Sequence, residues 1–260
     1  MSQQPTLKAL YLQTRARIVD LITEAGAEHV ETMTVAACPE WSVRDMFAHL
    51  TGNCADVLSG NIDGAGTIAW TTAQVDARAD LPIGQVLAEW DDLTPAFASL
   101  IDDFPGWYGA QVVADLSMHE HDLRGTLERP GARTSPAVWC CLDFLLSAIA
   151  HPAATALGLG PIEVTADSGK WIIGTAAGPS GDVNAAIAAA LIEKQRPPSH
   201  PPTPVTAKIA AVPFELCRAL TGRRSANQIR RLHWSTDPAP YISLFGQGHF
   251  FRLRTTDLHE

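Results

Sequence analysis

Asp115-Leu116-Ser117-Met118-His119-Glu120-His121-Asp122 (DLSMHEHD) decides how the first half of the chain is read. On a helix, residues four apart stand one above the other, so Asp115 and His119 point the same way, with Asp122 close to that face. Val112, Leu116, Met118 and Leu123 turn this face towards the interior of a helical bundle, while Glu120, His121 and Arg124 are expected to face solvent. A carboxylate buried four residues before a buried histidine is costly unless something pairs them. A divalent metal would satisfy both groups. A plain hydrogen bond between them in a core would also do so, and spacing alone leaves both readings open. A metal needs a third ligand from another helix, and His49 is the best placed, since it flanks the apolar stripe of an earlier helix. Two histidines and one carboxylate leave coordination positions open, which is the pattern of a catalytic zinc site. Asp122 and Asp45 are the candidates to orient the imidazoles from behind. His121, His151 and His233 show no ligand spacing.

The pattern around this segment is helical as far as about residue 158. Leu7, Leu10, Tyr11, Ile18, Leu21 and Ile22 recur at helical spacing. A second helix is expected after Pro39, with Ser42 as its cap, Asp45 completing a capping box, and Val43, Met46, Phe47, Leu50, Cys54 and Val57 as its apolar stripe. Asn61 to Ala79 is Gly- and Thr-rich and reads as a long loop, a kind of segment that often covers a site. A third helix follows Pro82, a fourth runs from Trp107 to Leu127, and Ser135-Pro136 opens a fifth, very apolar one. Near Gly158 the pattern changes. Pro161 to Asp167 and Lys170 to Thr175 read as a hairpin, Asp182 to Lys194 as a helix, and Gln195 to Pro204, with five prolines, as a loop. Val205 to Ala211, Ile229 to Trp234 and His249 to Arg254 read as strands, and Val212 to Thr221 as a helix ending at Gly222. The expected fold is therefore α + α/β: a four- or five-helix bundle over 1–158, then a small mixed α/β domain over 159–260.

Composition narrows the function classes. The 260 residues are 46% hydrophobic and 18% charged, a globular balance. A formal charge of −9 repels phosphate backbones and argues against nucleic acid as a partner. Five cysteines, two of them adjacent and none in a CxxC, do not form a disulfide framework and fit a cytoplasmic protein. The segment from Met1 to Lys8 lacks an apolar signal region. The longest apolar run, Ala137 to Leu157, is interrupted by Asp143, His151 and Pro152, so no membrane partner is expected.

Two motifs carry a resemblance. Cys38-Pro39-Glu40-Trp41-Ser42-Val43-Arg44-Asp45-Met46-Phe47-Ala48-His49-Leu50 resembles the first signature of the mycothiol-dependent maleylpyruvate isomerase family, and Asp115 to Leu127, followed by Arg129 to Arg133, resembles its second. Phe214 to Arg223 is similar, more weakly, to part of that family's C-terminal domain. The resemblance implies a DinB-like metal-binding bundle with His49, Asp115 and His119 as ligands, and a C-terminal domain similar to sterol-carrier folds. It also implies a divalent metal, zinc first, and mycothiol or a similar low-molecular-weight thiol as cofactors. Arg223 is the best match to a family arginine that reaches the active site, where it would hold a substrate carboxylate; Arg224 is adjacent, and a surface arginine after a helix end is the competing reading. The isomerase has Glu where this chain has Asp115, one methylene shorter, and this departure bears on isomerase activity in particular.

The expectation is then a metal- and thiol-dependent isomerase or transferase acting on a small electrophilic substrate, with no protein cysteine as nucleophile. Two alternatives stand beside it. One is a non-haem iron enzyme built on the same two histidines and carboxylate. The other is a metal-stabilised bundle carrying a domain that binds an apolar ligand, with Trp171, Phe214, Phe245, Phe250 and Phe251 as lining candidates.

Overall fold

The structure is a computed structural model, which describes residues 5–176, 178, 181–194, 196–197, 204–246 and 252–260. Among these residues the fold is mixed, with eleven α-helices and a small four-stranded sheet. The chain divides into two compact units: Met1–Phe104, Asp115–Ala132 and His259–Glu260 form the first, and Pro105–Ala114 with Arg133–Leu258 the second.

In the first unit, α1 (Leu7–Ala25) is capped by Thr6, whose hydroxyl accepts from the Ala9 N–H, and a single turn, α2 (Ala27–Val30), follows. The chain from Glu31 to Ser42 then folds back on itself through a Thr34/Ser42 bridge and the bond from the Val35 N–H to the Trp41 carbonyl, 2.9 Å. Helix α3 (Val43–Ser59) opens with the expected capping box of Ser42 and Asp45. It stops at Gly60, whose φ of 77° is the left-handed conformation that costs glycine least. The stretch expected to be a long loop contains a helix, α4 (Ile68–Asp76), capped by the Thr67 hydroxyl. Helix α5 (Ile83–Leu100) packs on α3 and α1 and buries Val86, Trp90 and Phe97, with the Trp90 ring 5.9 Å from that of Phe47 and the Phe97 ring 5.3 Å from that of Tyr11. Within this core the Trp90 N–H donates to the Tyr11 hydroxyl at 3.2 Å.

Helix α6 (Tyr108–Thr126) carries the Asp115–Asp122 segment. The expectation that Glu120 and His121 face solvent is wrong, since both are buried, as is every residue from Leu116 to Leu123. Glu120 is fully buried because two arginines meet it there. Arg17 of α1 forks onto its two oxygens at 2.8 and 2.7 Å, and Arg124 donates from Nε at 3.0 Å. A buried charge is tolerable only when paired in this way.

In the second unit, α7 (Pro136–Phe144), a π-helical turn (Leu145–Ala150) and α8 (His151–Ala156) run on without a break. Together they make a 21-residue helix, long and apolar enough to cross a bilayer despite Asp143, His151 and Pro152, and most of it is buried within the protein. It packs on α9 (Val183–Glu193) and α10 (Pro213–Leu220), so residues 133–158 group with the second unit and not, as expected, with the bundle. The sheet has the order β2-β1-β3-β4. Strand β1 (Ile162–Ala166) pairs antiparallel with β2 (Gly169–Ile173) in the expected hairpin and parallel with β3 (Ala207–Ala210), which pairs antiparallel with the two-residue β4 (His233–Trp234). Most of the strand expected over Ile229–Trp234 is replaced by α11 (Ala226–Arg230) and its turn, because Ser225 and Gln228 close a capping box. Of the strand expected over His249–Arg254, residues 249–251 lie outside the described residues, as do Phe250 and Phe251 as lining candidates and most of the proline loop.

Candidate metal centre

His49 stands in the middle of α3, and Asp115 and His119 stand one turn apart on α6. The three side chains meet within the first unit. The Asp115 carboxylate lies between the two imidazoles, with Oδ2 3.3 Å from His49 Nε2 and Oδ1 3.5 Å from His119 Nε2. One ligand atom from each residue lies within 4.8 Å of the other two. The histidines are 5% and 4% exposed, whereas the Asp115 side chain is 24% exposed, so the cluster opens to solvent on its carboxylate side.

The surroundings fix these groups. Trp41, delivered by the folded-back segment before α3, sets its ring 5.2 Å from the His49 ring and 5.8 Å from that of His119. Asn53, one turn after His49, donates to Asp115 Oδ2 at 3.2 Å. His119 Nδ1 lies 3.1 Å from the buried Asp122 Oδ2, at ion-pair distance although out of line for a good hydrogen bond. Asp122 thus takes the place expected for it behind an imidazole. Asp45 lies elsewhere, with Oδ2 accepting from the Ser42 N–H at 2.9 Å and Oδ1 from Arg44 at 3.2 Å. The group behind His49 is Gln74 of α4, whose Oε1 is 2.8 Å from Nδ1. Gln74, Asn53 and Trp41 were not singled out by sequence reasoning, and nothing in a polar residue of a Gly/Thr-rich stretch marks it as a partner of a histidine 25 positions away.

Electrostatics says what the cluster needs. Burial alone would raise the Asp115 carboxyl, but the charge of His49 and His119 outweighs it and holds the carboxyl far below the usual range. Burial alone would lower His119, but Asp115 and then Asp122 outweigh it and raise the imidazole to about 9. Three groups whose free lone pairs converge thus call for a positive charge, which a proton supplies at neutral pH and a divalent cation would supply better. The residues fit a nitrogen- and oxygen-binding metal with open positions. The sign of the pH dependence follows. Below about pH 9, a metal must displace the proton from His119, so affinity should weaken by about tenfold per pH unit between pH 9 and pH 7. Zinc titrations across that range check it; a flat profile would mean that His119 does not bind the metal.

A second group of potential ligands touches the first. Cys38, His119 and Asp122 also lie within 4.8 Å, with the Cys38 thiol 3.7 Å from Asp122 Oδ2. None of the five cysteines forms a disulfide; Cys141 is buried in the apolar helix, and Cys140 is only partly so.

Arg223 belongs to the second unit, in the turn after α10. It is 8% exposed and donates from Nη1 to the Thr221 carbonyl at 2.9 Å. Arg224 is 5% exposed and forks onto Glu215 at 2.8 and 2.9 Å. Neither is the surface arginine of the competing reading.

Comparison of the chain with protein-family models, with curated proteins and with solved structures gives no significant match.

Proposed function

We propose that the chain is a metal-dependent enzyme that uses a low-molecular-weight thiol, mycothiol or a similar one, to isomerise a small electrophilic substrate or to transfer the thiol to it. On this reading the first unit is a DinB-like bundle with His49, Asp115 and His119 as metal ligands, and the second is a sterol-carrier-like domain. The observation that carries the proposal is the meeting of these three side chains, from two helices, around one point that is open to solvent. The two motifs that resemble the mycothiol-dependent family are the segments that deliver them.

A free thiol has a pKa of about 8.5, so little of it is thiolate at neutral pH. A divalent cation at the cluster would supply the positive charge that favours the thiolate. The thiolate sulfur would form a bond to an activated alkene carbon as the π bond opens; rotation about the resulting single bond and expulsion of the thiolate would return the isomerised alkene. With an epoxide, the carbon–oxygen bond would break, the oxygen would take up a proton, and the adduct would leave. Within the chain, His49 and His119 supply neutral nitrogen ligands from the buried side, Asp115 supplies the charged one at the open side, and Trp41 shields the two rings from water.

The test joins elemental analysis of protein purified without added metal to an assay of electrophile consumption with and without thiol. One divalent metal per chain and turnover only with thiol are expected. Iron with oxygen-dependent, thiol-independent turnover would replace the proposal with the non-haem iron reading; a chain that takes up no metal would end both.

A further inference from the structure

Behind His49 lies a polar chain that orients itself link by link. A carboxylate only accepts hydrogen bonds. Asp56 on α3 therefore settles both amides that meet it, with Asn61 Nδ2 at 2.8 Å from Oδ1 and Gln74 Nε2 at 2.7 Å from Oδ2. With its NH2 group committed to Asp56, Gln74 presents its carbonyl Oε1 to His49 Nδ1, 2.8 Å away. A carbonyl oxygen also only accepts, so Nδ1 must carry a hydrogen. A neutral imidazole has one N–H, which leaves Nε2 bare and facing the cluster, 3.3 Å from Asp115 Oδ2.

We propose that Gln74, itself oriented by Asp56, is a positioning residue that locks His49 in the Nδ1–H tautomer, so that α4 prepares the metal-facing nitrogen before any metal arrives. Its consequence for affinity rests on the proposed metal site; the tautomer itself needs no metal. The lock is buried, with Gln74 3% and His49 5% exposed, so water does not replace a lost partner. Without the Gln74 carbonyl, the better arrangement puts the proton on Nε2, where Asp115 accepts it, and that proton occupies the position a cation needs.

The backbone is built for this approach. A Cβ on Gly52, one turn after His49, would lie 2.5 Å from Gln74 Cβ and 2.7 Å from its Cγ, so α4 can lie this close to α3 only over a glycine. The far end of α4 is clamped by Arg78, which forks onto Glu89 at 2.9 and 2.5 Å and donates to the Gln74 carbonyl at 3.2 Å.

The experiment uses the metal-free full-length chain with 15N-labelled histidine, read by long-range 1H–15N correlation at a pH where the His49 ring is neutral, and zinc titration of the same samples. Wild type should show Nδ1–H and a bare Nε2. Gln74→Met, close in shape but with no acceptor, should move the proton to Nε2 and weaken zinc binding by about 10- to 100-fold. The double variant Asp56→Asn with Gln74→Glu reverses the polarity of the first link but keeps an acceptor at His49, so it should restore the wild-type tautomer and most of the affinity. A residue that only packs would move neither reading, and Nε2–H in the wild type or Nδ1–H in Gln74→Met overturns the proposal. Should Gln74→Met fold poorly, the double variant decides, since Nε2–H there would also overturn it. A wild type that shows the Nδ1–H lock, lost in Gln74→Met, but binds no zinc would keep the positioning role and remove the metal site.

Discussion

Replacing His119 with Ala should lower the affinity for zinc by more than about 100-fold, because the loss of a group behind a ligand already costs about 10- to 100-fold and the proposed site makes His119 a ligand itself. His49 and Asp115 remain, with one nitrogen and one carboxylate, and the nearby amide nitrogens of Asn53 and Gln74 are donors to Asp115 and Asp56 with no lone pair to offer. His49→Ala should do the same from the other helix. Asp115→Glu should keep the metal, because it restores the longer carboxylate that the resemblance points to, whereas Asp115→Asn removes the only charged ligand and should not. Competition titrations with a chromophoric chelator read these constants directly, and circular dichroism shows whether each variant is folded. Stoichiometric metal of unchanged affinity in folded His119→Ala would mean that the ion sits elsewhere.

Removing both guanidinium groups from Glu120, as Arg17→Met with Arg124→Met, should destabilise the first unit by about 3–5 kcal/mol, the usual cost of stranding a buried charge. Glu120 is fully buried, and its carboxylate accepts from these two side chains, 28% and 16% exposed. Where about 1 kcal/mol moves a melting point by about 2–4 °C, the loss is on the order of 10 °C. Adding Glu120→Met should recover most of it, since apolar groups of similar volume replace a buried ion network with little loss. Denaturant melts of the double and triple variants check the order: a double variant within about 1 kcal/mol of wild type would show that the network contributes little. The proposed ligand next to Glu120 gives this result a functional side, because a helix loosened at Glu120 carries His119 with it.

Much of this arrangement is legible in the sequence, and the reasons are local. Ser42 with Asp45 announces the start of α3, and Asp115 with His119 makes a pair whose spacing is meaningful only on a helix. The hairpin of β1 and β2 and the end of α10 at Gly222 follow from turn chemistry. What was missed depends on tertiary contact. Helix α4 hides in a Gly- and Thr-rich stretch because its only start signal is Thr67, and its reason to form is α3, which it overlies at Gly52. Glu120 and His121 were placed in solvent because periodicity assumes one buried face, and α6 is buried on every side over this segment. Asp45 does not stand behind His49, because the capping box holds one oxygen of its carboxylate and Arg44 the other, and Gln74 lies there instead. Residues 133–158 group with the second unit because the apolar helix buries itself against α9 and α10, contacts that no local pattern announces.

X-ray absorption at the metal edge of the zinc-loaded chain separates the two groups of ligands that share His119. The account predicts one zinc per chain with nitrogen and oxygen scatterers at about 2.0–2.2 Å and imidazole outer-shell features from two rings. A sulfur scatterer at about 2.3 Å would place the ion on Cys38 and Asp122 instead, and the site made by His49, Asp115 and His119 would be contradicted.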